Sequence, residues 1–223
     1  MKKTNTLTEV QMHKVLEIRD LTKSTYVLRM ERNKLEFIPG QYISIGKAKT
    51  IDKRDYSIYS SPDADYLEVL IREVRDGMVS KDLRKLNPGD ELELEGPFGF
   101  FQLKKDEIKN RKFYFIASGT GVSPFHSMVQ SYPKMNYTLL HGVRYAEEAY
   151  EKEHFSKGNY VLSASREGKG NFYGRVTDYL NSNQVPKDCM FYLCGNCDMI
   201  NDVFDILEEQ GVPSENIHAE VYF

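Results

Sequence analysis

The chain has 223 residues with 40% hydrophobic and 28% charged side chains, a globular balance with room for one large or two small domains. Its net charge of −3 argues against a protein that grips nucleic acid through bulk positive charge. No apolar run approaches the roughly 20 residues of a membrane helix, and Met1-Lys2-Lys3-Thr4-Asn5-Thr6 leads into no apolar signal core, so no membrane insertion and a cytoplasmic location are expected.

The first hundred residues read as strands. Val15-Leu16-Glu17-Ile18 and Tyr26-Val27-Leu28-Arg29-Met30 are β-rich. Phe37-Ile38-Pro39-Gly40 marks a turn, and Gln41-Tyr42-Ile43-Ser44-Ile45 alternates with period two. Tyr56 to Tyr59 and Leu67 to Val74 continue the pattern, and Val79 to Leu86 alone looks helical. Asn87-Pro88-Gly89-Asp90 is a strong turn before Glu91-Leu92-Glu93-Leu94-Glu95, whose strict alternation is that of a half-buried strand. Short strands at this spacing predict a small antiparallel β-barrel or sandwich. The charged stretch Lys104 to Lys112 has no apolar period, and a boundary is expected there, giving domains 1–104 and 105–223.

Beyond it the pattern changes. Phe113-Tyr114-Phe115-Ile116-Ala117 is a continuous apolar run, as in a strand buried on both faces. A helix is predicted from Ser123 to Tyr132, with Ser123 as N-cap and Pro124 at the first helical position. Strands follow at Tyr137–Leu140, Tyr160–Leu162, Met190–Cys194 and Ile217–Phe223, with helical stretches near Ala146–Phe155, Val176–Leu180 and Asp198–Gln210, the last closed by Gly211. Such alternation predicts an α/β doubly wound parallel sheet.

Ser118-Gly119-Thr120-Gly121-Val122-Ser123-Pro124 joins the first strand and helix of this second half. A glycine-rich turn there lets backbone approach a pyrophosphate, and a helix N-terminus favours its charge. A tight strand-to-helix turn fits the residues equally, since Pro124 stands where the usual pattern has a third glycine. Cys189, Cys194 and Cys197 are too few for a disulfide framework or a four-ligand zinc or iron–sulfur site, and no metal set is expected. Cys194-Gly195-Asn196-Cys197 also reads as a CxxC redox pair.

Four further elements accompany the turn: Arg54-Asp55-Tyr56-Ser57, Gly77-Met78-Val79-Ser80, Cys194-Gly195-Asn196-Cys197-Asp198-Met199 and Glu220-Val221-Tyr222-Phe223. In this order, from about Lys14 to Phe223, the chain resembles the ferredoxin–NADP(H) reductase family of flavoproteins, in its bacterial-type form without an iron–sulfur domain. The resemblance implies a barrel that binds FAD, a doubly wound domain that binds NADP(H), and hydride transfer between the two. It implies that Arg54 pairs with a flavin phosphate, that Tyr56 packs on the isoalloxazine, and that Ser57 sets a hydroxyl near flavin N5. It gives Gly77, Met78, Val79 and Ser80 to a second phosphate contact, and Gly119, Thr120, Gly121 and Pro124 to the nicotinamide cofactor. Cys194 would lie beside the nicotinamide C4, with Gly195 and Met199 next to it. Tyr222, followed by Phe223, would stack over the flavin, with Glu220 as a carboxylate near the reacting rings. Arg144, Ser165, Arg166 and Arg175 would meet a 2′-phosphate, and Tyr173 the adenine.

Ferredoxin or flavodoxin is the partner the resemblance implies, with Lys47, Lys49, Lys53, Lys81, Arg84 and Lys85 as a positive rim for an acidic carrier. Two other readings fit the same residues: an NAD(P)H–flavin reductase that uses free flavin, and an electron-relay subunit of a larger complex.

Overall fold

A computed structural model describes residues 11–222; the stretch Met1–Thr6 and the terminal Phe223 lie outside them. The chain divides into two compact units between Phe100 and Phe101.

In the first unit, β1 (Gln11–Asp20), β2 (Thr25–Glu31), β3 (Tyr42–Lys47), β4 (Arg54–Ser57), β5 (Tyr66–Arg72) and β6 (Glu91–Phe98) form one antiparallel sheet in the order β4-β3-β6-β1-β2-β5. The alternation in β6 explains its central place. Leu92 and Leu94 are fully buried with Ile43 and Ile45, and the intervening glutamates point away from that core. Leu94 pairs with Gln11 on one side and Ile45 on the other. The edge strands β4 and β5 are linked by one bridge, Ile58 to Val69, beside a Tyr59 N–H bond of 2.7 Å to the Glu68 carbonyl. The sheet therefore curls as expected for a barrel, but a single bridge rather than a ladder joins its ends. The helix α1 (Val79–Arg84) buries Val79 and Leu83 against this core.

In the second unit, β7 (Phe113–Ser118), β8 (Tyr137–Val143), β9 (Tyr160–Ala164), β10 (Phe172–Tyr173), β11 (Met190–Asn196) and β12 (Ile217–Tyr222) form a parallel sheet in the order β10-β9-β8-β7-β11-β12. The chain winds outward from β7 to β10, then returns to lay β11 on the other side of β7. The strand order reverses between β7 and β11, and open α/β sheets hold ligands in the crevice at the carboxyl ends of such strands. The helices are α2 (Ser123–Ser131), α3 (Val176–Ser182) and α4 (Cys197–Glu209), and Gly211 after α4 takes a left-handed φ of 82°.

Two local expectations are corrected and one strand was not foreseen. Ser123 is not an N-cap: a 3₁₀ turn, Gly119–Val122, runs straight into α2, so Ser123 is already helical and capped by no side chain. The stretch Ala146–Phe155 is not an α-helix but two 3₁₀ turns, Ala146–Glu148 and Lys152–His154. Carboxylates there take the backbone donors: Glu148 accepts from Arg144 and Tyr145, Glu167 accepts from Ala146, and Glu151 sits at a left-handed φ of 44°. The short edge strand β10 had no period long enough to mark it.

Candidate functional site

The second unit gathers its predicted residues along the carboxyl edge of the sheet. Ala117 of β7 pairs with Cys194 of β11, Cys194 with Glu220 of β12, and Asn196 with Tyr222. The two glycine turns press against each other at the switch point. A Cβ on Gly121 would stand 2.3 Å from the Cys194 carbonyl oxygen, and a Cβ on Gly195 would stand 2.3 Å from Ser118 Oγ. Gly195 also has a φ of 135° and Gly119 one of 54°, conformations that favour glycine. The missing Cβ of Gly121 thus serves chain-to-chain contact. Ser118 Oγ accepts from Asn196 N–H at 3.0 Å, and Asn196 caps α4 by accepting from Met199 N–H at 3.2 Å.

The Cys194 thiol is fully buried, and burial holds its pKa well above the ordinary value; the Glu220 carboxylate adds to that rise, while a hydrogen bond from the Tyr222 side chain opposes it. Cys194, Glu220 and Tyr222 therefore meet in one corner, with Cys194 a neutral thiol. Cys197 is exposed at the start of α4, and both cysteines are free. A buried neutral thiol is a poor redox centre, which counts against the CxxC reading.

On the other flank, the segments after β8 and β9 are tied by the Arg166 N–H bond of 3.0 Å to the Arg144 carbonyl. Arg144, Arg166, Tyr173 and Arg175 are all exposed there, beside half-buried Ser165, whose Oγ donates to the Val143 carbonyl at 3.2 Å. Arg175 precedes α3, where Asp178 accepts from its N–H at 2.7 Å. Pro124 is buried in α2, and Thr120 is half-buried in the turn.

Sequence reasoning missed His141 of β8. It is fully buried. Its Nε2 lies 2.8 Å from the Gly119 carbonyl and its Nδ1 2.7 Å from the Tyr160 hydroxyl. A carbonyl only accepts, so Nε2–H donates to Gly119 and Nδ1 accepts from Tyr160. A lone histidine in an apolar strand was the available signal, but its partner is set by strand register.

The first unit holds the other predicted residues. Ser57 pairs with Tyr42, and Tyr56 with Ile43. Arg54 is exposed at the strand start and donates to the Lys53 carbonyl at 2.7 Å. Tyr56 is half-buried against the core, and that burial pushes its phenol up to about 12. Ser57 is only 2% exposed. A depression lined by Lys47, Thr50, Asp52, Met78, Val79 and Asp82 joins the connection preceding Arg54 to the start of α1. Met78 stands 68% exposed. Gly77 N–H bonds to the Val74 carbonyl at 3.0 Å, and Ser80 Oγ accepts from Val74 N–H at 3.3 Å. Tyr26 O–H donates to the Ser80 carbonyl at 2.5 Å. Ser80 thus closes its own loop from inside α1, whose N-cap position is Met78 with no side-chain cap bond. The rim is weaker than the lysine count suggests. Lys53 is held by Glu95 and Glu93 at 2.6 and 3.1 Å, Arg84 by Glu73 and Asp20, and Lys85 by Asp82 at 3.0 Å.

Residues 7–103 match the family described as oxidoreductase FAD-binding domain, and residues 115–205 the oxidoreductase NAD-binding domain. The chain is 29% identical to the toluate 1,2-dioxygenase electron transfer component of Pseudomonas putida, over 93% of this chain but 66% of that protein. It is 29% identical to the flavodoxin/ferredoxin–NADP reductase of Buchnera aphidicola subsp. Schizaphis graminum, over 92% of this chain and 93% of that one. The fold matches a ferredoxin NADP+ reductase of Neisseria gonorrhoeae, solved with bound FAD and NADP, with a TM-score of 0.85 at 22% identity, covering 96% and 99% of the two chains. The antiparallel unit with its FAD-binding match and the doubly wound unit with its NAD-binding match make this chain a member of the ferredoxin–NADP(H) reductase family of flavoprotein oxidoreductases.

Proposed function

We propose that the chain is an FAD-dependent reductase that takes hydride from NADPH, or returns it to NADP+, and exchanges single electrons with a ferredoxin or flavodoxin in the cytoplasm. Residues 1–104 would bind FAD and 105–223 the nicotinamide cofactor. The observation that carries the reading is the pair of interlocked glycine turns at the switch point of the parallel sheet, flanked by exposed arginines. The relatives named as electron transfer components and reductases support an electron carrier as partner.

The donor sets fit these cofactors. The exposed Arg54 guanidinium and the depression reaching Met78 suit a phosphate-bearing group. The arginines after β8, β9 and β10 suit a polyanionic nucleotide. When bound, FAD supplies a centre that exchanges two electrons as hydride and releases them singly. The remaining work is orientation by this chain's own residues. His141 fixes the Gly119 carbonyl, Ser118 ties the turn to β11, and Tyr222 holds the Cys194 thiol. Cys194, neutral and buried, would present an uncharged surface to the nicotinamide. Glu220 would set the charge beside it, and Ser57 and Tyr56 would face the flavin.

Coenzyme choice tests the arginine edge. Arg166→Ala is expected to lower kcat/KM for NADPH by about 10- to 100-fold while changing that for NADH by less than about threefold, because a guanidinium–phosphate pair is worth roughly 1.5–3 kcal/mol. Equal losses with both coenzymes, or a wild-type preference for NADH, would remove Arg166 from the 2′-phosphate.

A further inference from the structure

We propose that the second unit carries a surface site for a divalent transition cation, built from His126, Glu151 and His154, away from the glycine turns. His126 lies on α2, and the other two on the connection between β8 and β9. His126 Nε2 stands 2.9 Å from His154 Nδ1, and Glu151 Oε2 stands 3.8 Å from that same nitrogen. One donor atom from each residue lies within 4.8 Å of the others.

The deciding feature is convergence. Two imidazole nitrogens and a carboxylate oxygen, brought from two separate segments, stand close enough to share one cation. Tetrahedral zinc with bonds near 2.0–2.1 Å has donors about 3.3 Å apart, a spacing bracketed by the observed distances. The surroundings hold the set in place. His126 is buried, with the Phe155 ring edge-on at 5.8 Å, and Gln130 Nε2 donates to the His154 carbonyl at 3.2 Å. Glu151 is held at a left-handed φ of 44°, a costly conformation for this residue. His154 is exposed, which leaves a side for water as a fourth ligand. Two imidazoles and one carboxylate select zinc-like ions over magnesium or calcium. Such an ion would staple α2, which continues from the glycine turn, to the segment that begins at Arg144.

Zinc chloride titrated into the tag-free, full-length protein, followed by calorimetry and thermal melting, tests this. Wild type is expected to take up one equivalent and to melt about 5 °C higher in excess zinc. His154→Ala, an exposed position, is expected to abolish both effects, and Glu151→Gln to weaken binding by about 10- to 100-fold, with metal-free melting unchanged. No uptake by wild type would overturn the proposal. So would equal uptake by His154→Ala, which would place the zinc elsewhere, for instance at Cys197.

Discussion

Gly121→Ala is expected to lower kcat/KM for the nicotinamide substrate more than about 100-fold while FAD stays bound. The added Cβ would lie 2.3 Å from the Cys194 carbonyl oxygen, 2.6 Å from its carbon and 2.7 Å from Gly195 Cα. All three are backbone atoms, so no rotamer change relieves the clash, and the turn must part from β11. A displacement of about 1 Å at a hydride-transfer site costs on the order of 10²-fold in rate. Overpacking also costs about 1–3 kcal/mol of stability. Gly168→Ala is the control, because a Cβ there meets open space. Ferricyanide reduction measures the rate, and flavin absorbance after gel filtration measures retention. Wild-type kcat/KM in Gly121→Ala would show that the contact does not position the coenzyme.

The second large effect is on stability against pH. Burial lowers the His141 pKa to about 4 from an ordinary value near 6.5, outweighing the opposing bond to the Gly119 carbonyl. The folded protein keeps this ring neutral where the unfolded chain protonates it. His141 therefore costs nothing above about pH 6.5, destabilises increasingly below it, and reaches its full penalty near pH 4, about 3 kcal/mol. His141→Gln can still donate to Gly119 and accept from Tyr160. Urea unfolding at about pH 7 and pH 4.5 should show a smaller loss of stability in this variant than in wild type. A remaining slope is expected from His218, whose pKa is also lowered, first by burial and then by Lys104. Identical losses in the two proteins would refute the assignment.

Much of this was legible in the residues. The alternation of Glu91 to Glu95 specified a half-buried strand, and the apolar run Phe113–Ala117 a strand covered on both faces; both conclusions need only local period. The turn at Gly119–Gly121 was legible as a turn, but its closest neighbour, Cys194, is 73 residues beyond Gly121 in sequence. His141 was invisible for the same reason, since its partner Gly119 follows from the pairing of β7 with β8. The false helix at 146–155 arose because local period cannot register Glu167, a carboxylate from beyond β9, taking the Ala146 N–H. The positive rim is weakened for a similar reason: Asp20, Glu73, Glu93 and Glu95, which hold Arg84 and Lys53, come from other strands and loops.

The most direct measurement is anaerobic stopped-flow mixing of the purified yellow protein with excess NADPH, following flavin absorbance. The expected result is bleaching of bound flavin at a rate that saturates with NADPH and does not depend on protein concentration. A colourless protein that takes up no FAD, or bound flavin that NADPH and NADH both leave oxidised, would contradict the assignment.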